Sequence, residues 1–275
     1  MSTLPGTLWQ AWCTSLGLDV GDWNPDHYLR FREQRTRPAS DLVARIALDA
    51  PARVIDLGCG PGTSTQVLAE RWPGAQIIGL DSSETMIAAA RRLHPQQDWR
   101  CGSMASWLPK YALDVVFANA SLQWLPDHGP LVQRLFSWVA PGGALAFQIP
   151  SAAHAPVRTL IHALARSDRW SARMEAPLRA LTMESPAFYY DHLSSRATHL
   201  DIWESEYWHV LASADAVVDW MASTGLRPFL EALDSPEDQA CFQQQLLDPL
   251  RHLYPPRVDG KVLFPFRRTF VIAYA

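Results

Sequence analysis

The feature that most constrains how this 275-residue chain can fold is a glycine-rich segment, DLGCGPG, at residues 56–62. A short β-branched run at 52–57 predicts a buried strand before it, and a helical pattern follows at 63–71. Glycines allow the backbone to turn tightly and to approach a ligand, and the following helix begins with unpaired N–H groups. The arrangement predicts a loop that holds a nucleotide-like cofactor. A purely structural turn is the alternative.

Strand and helix patterns alternate through the first half of the chain. Helices are predicted at 38–49 and 131–140, and strands at 75–81, 113–120 and 144–150. Continuous apolar strands in repeated βα units indicate a parallel sheet with helices on both faces. We therefore predict a doubly wound α/β fold.

The alternation stops at Ser151. The sequence then becomes helical and rich in Trp and Arg, apart from strand-like runs at 199–211 and 266–275. A mainly helical cap inserted before the last strand is the simplest account of this pattern. The predicted division places residues 38–150 and 261–275 in the core and residues 1–37 and 151–260 in an N-terminal segment and cap.

Composition and charge argue against several partners. A formal net charge of −4 gives no basic surface for nucleic acid. The sequence shows no charged leader segment and no apolar stretch of about 20 residues. We therefore expect no membrane partner, and we expect the protein to be located in the cytoplasm. Oligomeric state is left open. No disulfide or zinc site is indicated, because no CxxC pair occurs among Cys13, Cys59, Cys101 and Cys241.

The spacing of the glycines favours one cofactor class over another. Gly58, Gly60 and Gly62 form Gly-x-Gly-x-Gly, whereas a dinucleotide fingerprint needs a glycine where Thr63 stands. NAD is therefore the less favoured ligand. Asp81 ends the next strand, where a carboxylate can accept two hydrogen bonds from a ribose diol. Capping of the following helix is an equally good reading of Asp81.

These motifs resemble those of class I S-adenosylmethionine methyltransferases, in which an acidic residue and Gly-x-Gly-x-Gly are followed by an acid that ends the second strand. A closer resemblance is to the trans-aconitate 2-methyltransferase family. It rests on the segments WNPDHYLRF (23–31), RTRPA (35–39), NASLQWLPDH (119–128), DIWE (201–204), TGLRPFL (224–230) and DGKVLFPFRR (259–268).

The resemblance implies a seven-stranded, mostly parallel, Rossmann-like sheet, S-adenosyl-L-methionine as cofactor, and a small anionic carboxylate such as trans-aconitate as methyl acceptor. Ser103 departs from the family pattern, which has an Asp there; a hydroxyl accepts a hydrogen bond more weakly than a carboxylate, so we expect reduced cofactor affinity. The cofactor contacts implied by the resemblance are Asp56, Gly58, Gly60, Gly62, Asp81, Ser82, Met86, Ser103, Met104, Asn119 and Leu122.

Methyl transfer to a carboxylate requires alignment more than acid–base chemistry. A carboxylate is ionised at pH 7 and a sulfonium methyl is already activated, so no general base, triad or metal is expected. An anionic substrate calls for arginine, whose planar fork binds carboxylates. The candidates are Arg227 first, then Arg37, Arg30 and Arg32, each with a solvated surface charge as the alternative.

Strand alternation places Tyr207 and His209 on one face, where they can bind a carboxylate or belong to the core. Trp23, Tyr28 and Trp124 are candidates to wall the transfer site, because an aromatic face favours a sulfonium. For most of the 12 Trp residues, core packing is expected.

Three other functions remain open from the sequence. A methyltransferase acting on a carrier-bound, malonyl-type carboxyl would share the glycine loop. An NAD-dependent oxidoreductase would share the sheet but lacks its glycine at position 63 and a Tyr-x-x-x-Lys motif. A non-catalytic binding protein would need no Arg-bearing, Trp-lined cap.

Overall fold

A computed structural model describes residues 23–152 and 155–275, and the predictions made for residues 1–22, including Cys13, lie outside these ranges. In the described residues, seven strands form one sheet of order β3-β2-β1-β4-β5-β7-β6. The strands are β1 (Arg53–Leu57), β2 (Gln76–Asp81), β3 (Asp98–Cys101), β4 (Leu113–Asn119), β5 (Val139–Pro150), β6 (His199–Leu211) and β7 (Val262–Tyr274).

Helices cover both faces of this sheet and build the cap. They are α1 (Pro25–Leu29), α2 (Arg32–Arg45), α3 (Thr63–Arg71), α4 (Glu84–Leu93), α5 (His128–Phe136), α6 (Pro156–Ala165), α7 (Glu175–Leu178), α8 (Pro186–Leu193), α9 (Ala214–Ala222), α10 (Arg227–Glu231) and α11 (Pro236–Leu253), with short 3-10 turns at Leu122–Trp124 and Ser171–Arg173.

The five strands β1 to β5 are parallel, and β7 pairs antiparallel with both β5 and β6. Val54 and Ile55 on β1 are fully buried on opposite faces, one in each of two hydrophobic clusters that cover the sheet. A strand buried on both sides needs an unbroken apolar run, which explains the sequence pattern. The doubly wound, mostly parallel fold is confirmed.

Two helix boundaries differ from the sequence prediction. The helix predicted at 38–49 is α2, which begins at Arg32 and contains Pro38. Arg35, Pro38, Ala39 and Leu42 are all buried, at the i, i+3, i+4 and i+7 spacing of one helix face. Burial of this face outweighs the cost of an internal proline.

The predicted helix at 131–140 ends at Phe136, and β5 begins at Val139, five residues before the predicted strand at 144–150. Val139 pairs with Leu113, and the regular register resumes at Ala144 opposite Val115. The intervening residues form a bulge, a feature that hydrophobic periodicity does not report.

The run at 199–211 was placed in the cap, and this assignment is wrong. As β6 it pairs with β7 over its whole length, from His199 opposite Tyr274 to Leu211 opposite Val262. β5 pairs with β7 only as far as Pro150 opposite Arg268. The remaining parts of β6 and β7 therefore extend past the carboxyl end of β5 as a two-stranded ribbon. The helical insertion is split into two pieces, one on each side of β6.

The cap helices share a third hydrophobic cluster, which includes Trp170, Trp220 and Phe242, all at most 2% exposed. Phe264 of the ribbon joins this cluster, so the cap packs on the extended strands. Of the ten tryptophans in the described ranges, five are buried, which is half rather than the predicted majority: Trp72, Trp99, Trp138, Trp170 and Trp220. No helix in the described ranges is long and apolar enough to cross a membrane. The exact boundary between core and cap stays a prediction.

Candidate active site

A cavity lies where the carboxyl ends of the strands meet the cap. On the sheet side it is lined by Gly58 and Gly60 after β1, Asp81 at the end of β2 and Asn119 at the end of β4. The carboxyl edge of an open α/β sheet is the usual place for a ligand. The opposite wall is formed by the ribbon and by the cap helices, including α6.

Three glycines of the loop are left-handed, and two of them, Gly58 and Gly60, have different surroundings at the cavity. Gly58 has φ +69°, and a Cβ built on it would lie 2.3 Å from the Cβ of Ser121. Gly60 has φ +55°, and a Cβ there would meet no atom within 4 Å. Gly58 therefore packs against the protein, whereas Gly60 leaves open space at the cavity surface for a ligand.

Asp56 supports the loop from below and does not line the cavity. It is fully buried, and its Oδ2 accepts hydrogen bonds from Ser64 Oγ and Thr65 Oγ1, each at 2.7 Å. Burial raises the pKa of the Asp56 carboxyl to about 6, against the lowering effect of these two hydroxyls. The carboxylate thus ties the loop to the first turn of α3.

Asp81 is held in place at the end of β2 by two backbone N–H groups. Oδ2 accepts from Gly60 N at 2.8 Å, and Oδ1 accepts from Ser83 N at 2.9 Å. The Asp81 carboxylate is therefore held in a fixed orientation at the cavity lining. The N-cap of α4 is made by Ser83, whose Oγ accepts from Met86 N. Asp81 is thus free of the capping role considered from the sequence.

The other predicted cofactor contacts divide into two groups. Ser103 lines the cavity, and its Oγ accepts from Ala105 N at 3.2 Å. Gly62 instead forms the N-cap of α3 with φ +91°, and Leu122 is fully buried in the core, so neither lines the cavity. The remaining predicted contacts, Ser82, Met86, Met104 and Asn119, all line it.

The three aromatic residues predicted to wall the site come together in the structure. The ring of Trp23 lies 5.3 Å from that of Trp124 and 6.5 Å from that of Tyr28, in both cases edge to face, and all three line the cavity. Arg227 lies over the outer side of this group, 4.3 Å from the Trp23 ring, and its Nε donates to Glu231 at 2.6 Å. The charge of Arg227 is therefore compensated, and Arg227 does not line the cavity.

The other predicted substrate contacts also lie outside the cavity lining. The Tyr207 hydroxyl donates to Asp41 Oδ2 at 2.7 Å, and Arg37 lies exposed over the Tyr207 ring at 5.1 Å. His209 packs 4.1 Å from the Trp220 ring. Burial, aided by nearby arginines, lowers the pKa of His209 to about 3, so the imidazole is neutral. The predicted alternation is confirmed, since Tyr207 and His209 are buried while the residue between them is exposed.

The two remaining arginine candidates, Arg30 and Arg32, are exposed on the surface. Four arginines outside these candidates line the cavity instead. Arg267 pairs with Glu206 at 3.4 Å, which leaves three others: Arg35, Arg158 and Arg268. Arg35 and Arg268 are 6% and 5% exposed. Within residues 23–152 and 155–275, none of the three forms an ion pair with a carboxylate.

Each buried arginine is held by neutral groups. Arg35 Nη2 donates to Ser223 Oγ at 2.6 Å, and its guanidinium carbon lies 3.8 Å from the centre of the Tyr28 ring. Arg268 Nη1 donates to Gln148 Oε1 at 3.1 Å. The Nε atoms of both arginines are buried and have no hydrogen-bond partner in the part of the chain that the structure describes. Burying a cation without a counterion is costly, which suggests that a ligand supplies the negative charge.

The sequence contained one signal for these residues, since Arg35 and Arg268 lie in the RTRPA and DGKVLFPFRR segments. Periodicity could not identify them as buried, because arginine is usually a surface residue. The packing of α2 against the ribbon brings them to the cavity.

Solved structures with the same fold support the architecture. The YcgJ protein of Bacillus subtilis matches with a TM-score of 0.57 at 15% identity, covering 86% of this chain and 97% of that one. Phosphoethanolamine N-methyltransferase 2 of Haemonchus contortus matches with a TM-score of 0.54 at 14% identity, covering 86% of this chain and 52% of that one. At this identity the likeness concerns the fold.

Sequence relatives are much closer. A family model described as a methyltransferase domain matches residues 31–228. The trans-aconitate 2-methyltransferase of Methylobacterium radiotolerans is 47% identical over 92% of this chain and 98% of its own length, and that of Variovorax paradoxus is 44% identical over 92% and 98%. The corresponding enzyme of an Azoarcus species is 42% identical over 91% and 98%. With relatives of this identity matched over nearly their full length, the chain belongs to the trans-aconitate 2-methyltransferase family.

Proposed function

We propose that this protein is an S-adenosylmethionine-dependent methyltransferase that forms a monomethyl ester of trans-aconitate. The observation that carries the proposal is a single cavity with the glycine loop on one wall and buried arginines without carboxylate partners on the other. The first wall suits a nucleoside cofactor, and the second suits a small polyanion. The names of the sequence relatives reported above agree with both.

The residues of the sheet wall fit the cofactor. Gly60 leaves room that a side chain would fill, and the Asp81 carboxylate is held where β2 ends, which suits a ribose diol. Ser103 offers a hydroxyl for the adenine amino group. Trp23 and Trp124 present aromatic surface, which favours a sulfonium.

S-adenosylmethionine held at Gly60 and Asp81 would supply an electrophilic methyl group to a carboxylate oxygen of the acceptor. The O–CH₃ bond would form as the S–CH₃ bond breaks, with its electron pair left on sulfur, so that the products would be a methyl ester and a neutral thioether. This chain has to bind the acceptor, orient it and exclude water. No proton moves, because the attacking carboxylate is already ionised at pH 7. Accordingly, the proposal assigns no general base.

The arginines favour a free polyanion over a carrier-bound acid. Arg35, Arg158 and Arg268 offer three positive charges in the same cavity, and His162 is neutral beside them because burial, with help from Arg158, lowers its pKa to about 4. A malonyl-type carboxyl on a carrier has one negative charge to offer. The proposed acceptor is therefore a small tricarboxylate, with neither nucleic acid nor membrane involved.

The test is to incubate the purified protein with methyl-labelled S-adenosylmethionine and, separately, trans-aconitate, cis-aconitate, citrate, isocitrate and a malonyl thioester. We expect a labelled trans-aconitate monomethyl ester, identified by mass spectrometry, at a rate well above those for the other acids. Label on the malonyl thioester alone would establish the carrier-bound alternative. Absence of label on every acid, with cofactor binding retained, would refute the proposal.

A further inference from the structure

A chain of three polar side chains crosses the carboxyl edge of the sheet and connects its two walls. Asn119 ends β4, Gln148 lies near the end of β5, and Arg268 lies on β7. We infer that Gln148 is a positioning residue for methyl transfer, which fixes Arg268 against a substrate carboxylate and makes Asn119 present its NH₂ group to the cavity. The inference rests on the proposed function and assigns parts of the acceptor site.

Arg268 determines the direction of both hydrogen bonds that join Asn119, Gln148 and Arg268. A guanidinium can only donate, so the Gln148 atom 3.1 Å from Arg268 Nη1 must be the carbonyl oxygen Oε1. The other end of the amide, Nε2, then donates to Asn119 Oδ1 at 2.6 Å. With its carbonyl occupied, Asn119 has its NH₂ group left for a ligand. The three residues therefore present hydrogen-bond donors at both ends, the Asn119 NH₂ group and the Arg268 guanidinium, and donors suit an anion.

The sheet register fixes the order of the three residues. Gln148 lies directly opposite Asn119 in the parallel pair β4 and β5, and Pro150, two residues further on, lies opposite Arg268. Asn119 and Arg268 line the cavity, whereas Gln148 does not and is 0% exposed. Gln148 can act on a ligand only through its two neighbours.

Gln148 lies on the face of β5 that also carries Ala144 and Ala146, and it pairs in the sheet with Phe270; all three of these apolar residues are fully buried. A buried amide costs free energy unless its donors and acceptors are paired, and an apolar side chain would serve the core at least as well. Packing alone therefore does not explain an amide at position 148. The two hydrogen bonds that Gln148 makes, to Asn119 and Arg268, explain it.

The site around Arg268 lacks a counterion among the described residues. Burial, with a smaller contribution from the charge of Arg35, lowers the pKa of Arg268 to about 10, which leaves the guanidinium cationic at pH 7. Arg268 Nε is buried with no partner, and Arg35 Nε, in the same cavity, is in the same situation. A carboxylate bound in the cavity beside the two guanidinium groups would supply the missing negative charge and relieve their repulsion.

The test compares Gln148→Met, Arg268→Met and the double variant in steady-state assays with trans-aconitate. Gln148→Met keeps a long, flexible side chain without its hydrogen bonds, and we expect KM to rise about tenfold, the equivalent of about 1.4 kcal/mol. Since Gln148 acts through Arg268, the double variant should be no worse than Arg268→Met alone. Multiplying effects would indicate independent roles and overturn the inference.

Two further variants separate positioning from folding. Gln148→Glu has the same shape, but its carboxylate would neutralise Arg268, so KM should rise more than in Gln148→Met while the melting temperature is preserved. Thr269→Val is the matched control: Thr269 is equally buried on β7 and its hydroxyl donates to Glu204 at 2.8 Å, outside the hydrogen bonds that join Asn119, Gln148 and Arg268. Its loss should lower stability and leave KM unchanged.

Binding of trans-aconitate in the presence of S-adenosylhomocysteine, measured by calorimetry, provides a readout independent of turnover. A wild-type protein that neither binds nor methylates the acid would refute the proposed function and this inference together. A wild-type protein that methylates it, with Gln148→Met and Gln148→Glu both within twofold of wild type in KM and binding, would overturn this inference alone.

Discussion

Gly58 and Gly60 have the same left-handed backbone but different surroundings, so replacing each with alanine should have different consequences. A non-glycine residue in this conformation costs about 1–2 kcal/mol. At Gly58 the new Cβ would also lie 2.3 Å from Ser121 Cβ and 3.2 Å from Met104 Cε. Overpacking of this kind adds about 1–3 kcal/mol. We therefore expect Gly58→Ala to lower the free energy of unfolding by about 3 kcal/mol and Gly60→Ala by about 1 kcal/mol.

Cofactor affinity should separate the two variants in another way. Gly60→Ala places a methyl group in open space at the cavity surface, where we propose that the cofactor lies, so the Kd for S-adenosylmethionine should rise at least about tenfold. Urea denaturation measures the unfolding free energies, and isothermal titration calorimetry measures Kd. Equal destabilisation by the two substitutions would refute the packing argument at Gly58. A wild-type Kd for Gly60→Ala would refute the placement of the cofactor.

Three further predictions concern single charges in and near the site. Because the pKa of Asp56 is raised from 3.8 to about 6, its contribution to stability falls as pH rises. Urea denaturation should therefore show Asp56→Asn gaining about 1.4 kcal/mol relative to wild type between pH 5 and pH 7.5, and a constant difference would contradict the raised pKa. Ser103→Asp should lower the Kd for S-adenosylmethionine by about tenfold in calorimetry, since a charged acceptor strengthens the bond we propose to adenine. Arg227→Ala should change KM for trans-aconitate less than threefold, whereas Arg268→Ala should raise it more than about thirtyfold, and the reverse order in steady-state assays would restore Arg227 as the anion site.

The sheet could be predicted largely from the sequence because its signals are local. Buried parallel strands require apolar runs such as 53–57, and the Gly-x-Gly-x-Gly spacing after β1 indicates a ligand-binding turn. Strand β6 could not be assigned in the same way. Its pattern indicated a strand, but membership of the core sheet depends on pairing with β7, about 60 residues later, which periodicity does not encode.

The sequence predicts those site residues that belong to one local motif. It does not predict those that only tertiary contacts bring to the cavity. Asp81 and Gly60 follow directly from the loop and the end of β2. By contrast, Arg227 has suitable chemistry and a suitable neighbourhood, yet Glu231 one turn later neutralises it. Both residues are visible in the sequence at i and i+4, so this pair could have been anticipated. No comparable local signal distinguishes Arg268, whose burial depends on the helices that pack over the ribbon.

Arg268 can reach the cavity because of the direction in which the last strand, β7, runs. β7 runs antiparallel to β5, so that Arg268 lies opposite Pro150 at the carboxyl edge and Tyr274 lies opposite Ala144. At about 3.4 Å per residue, the six positions between Arg268 and Tyr274 span about 20 Å. A parallel β7 would therefore carry Arg268 to the far edge of the sheet, away from Asn119. Because the strand is reversed, its early residues meet the late residues of β4 and β5, and one buried amide can join them.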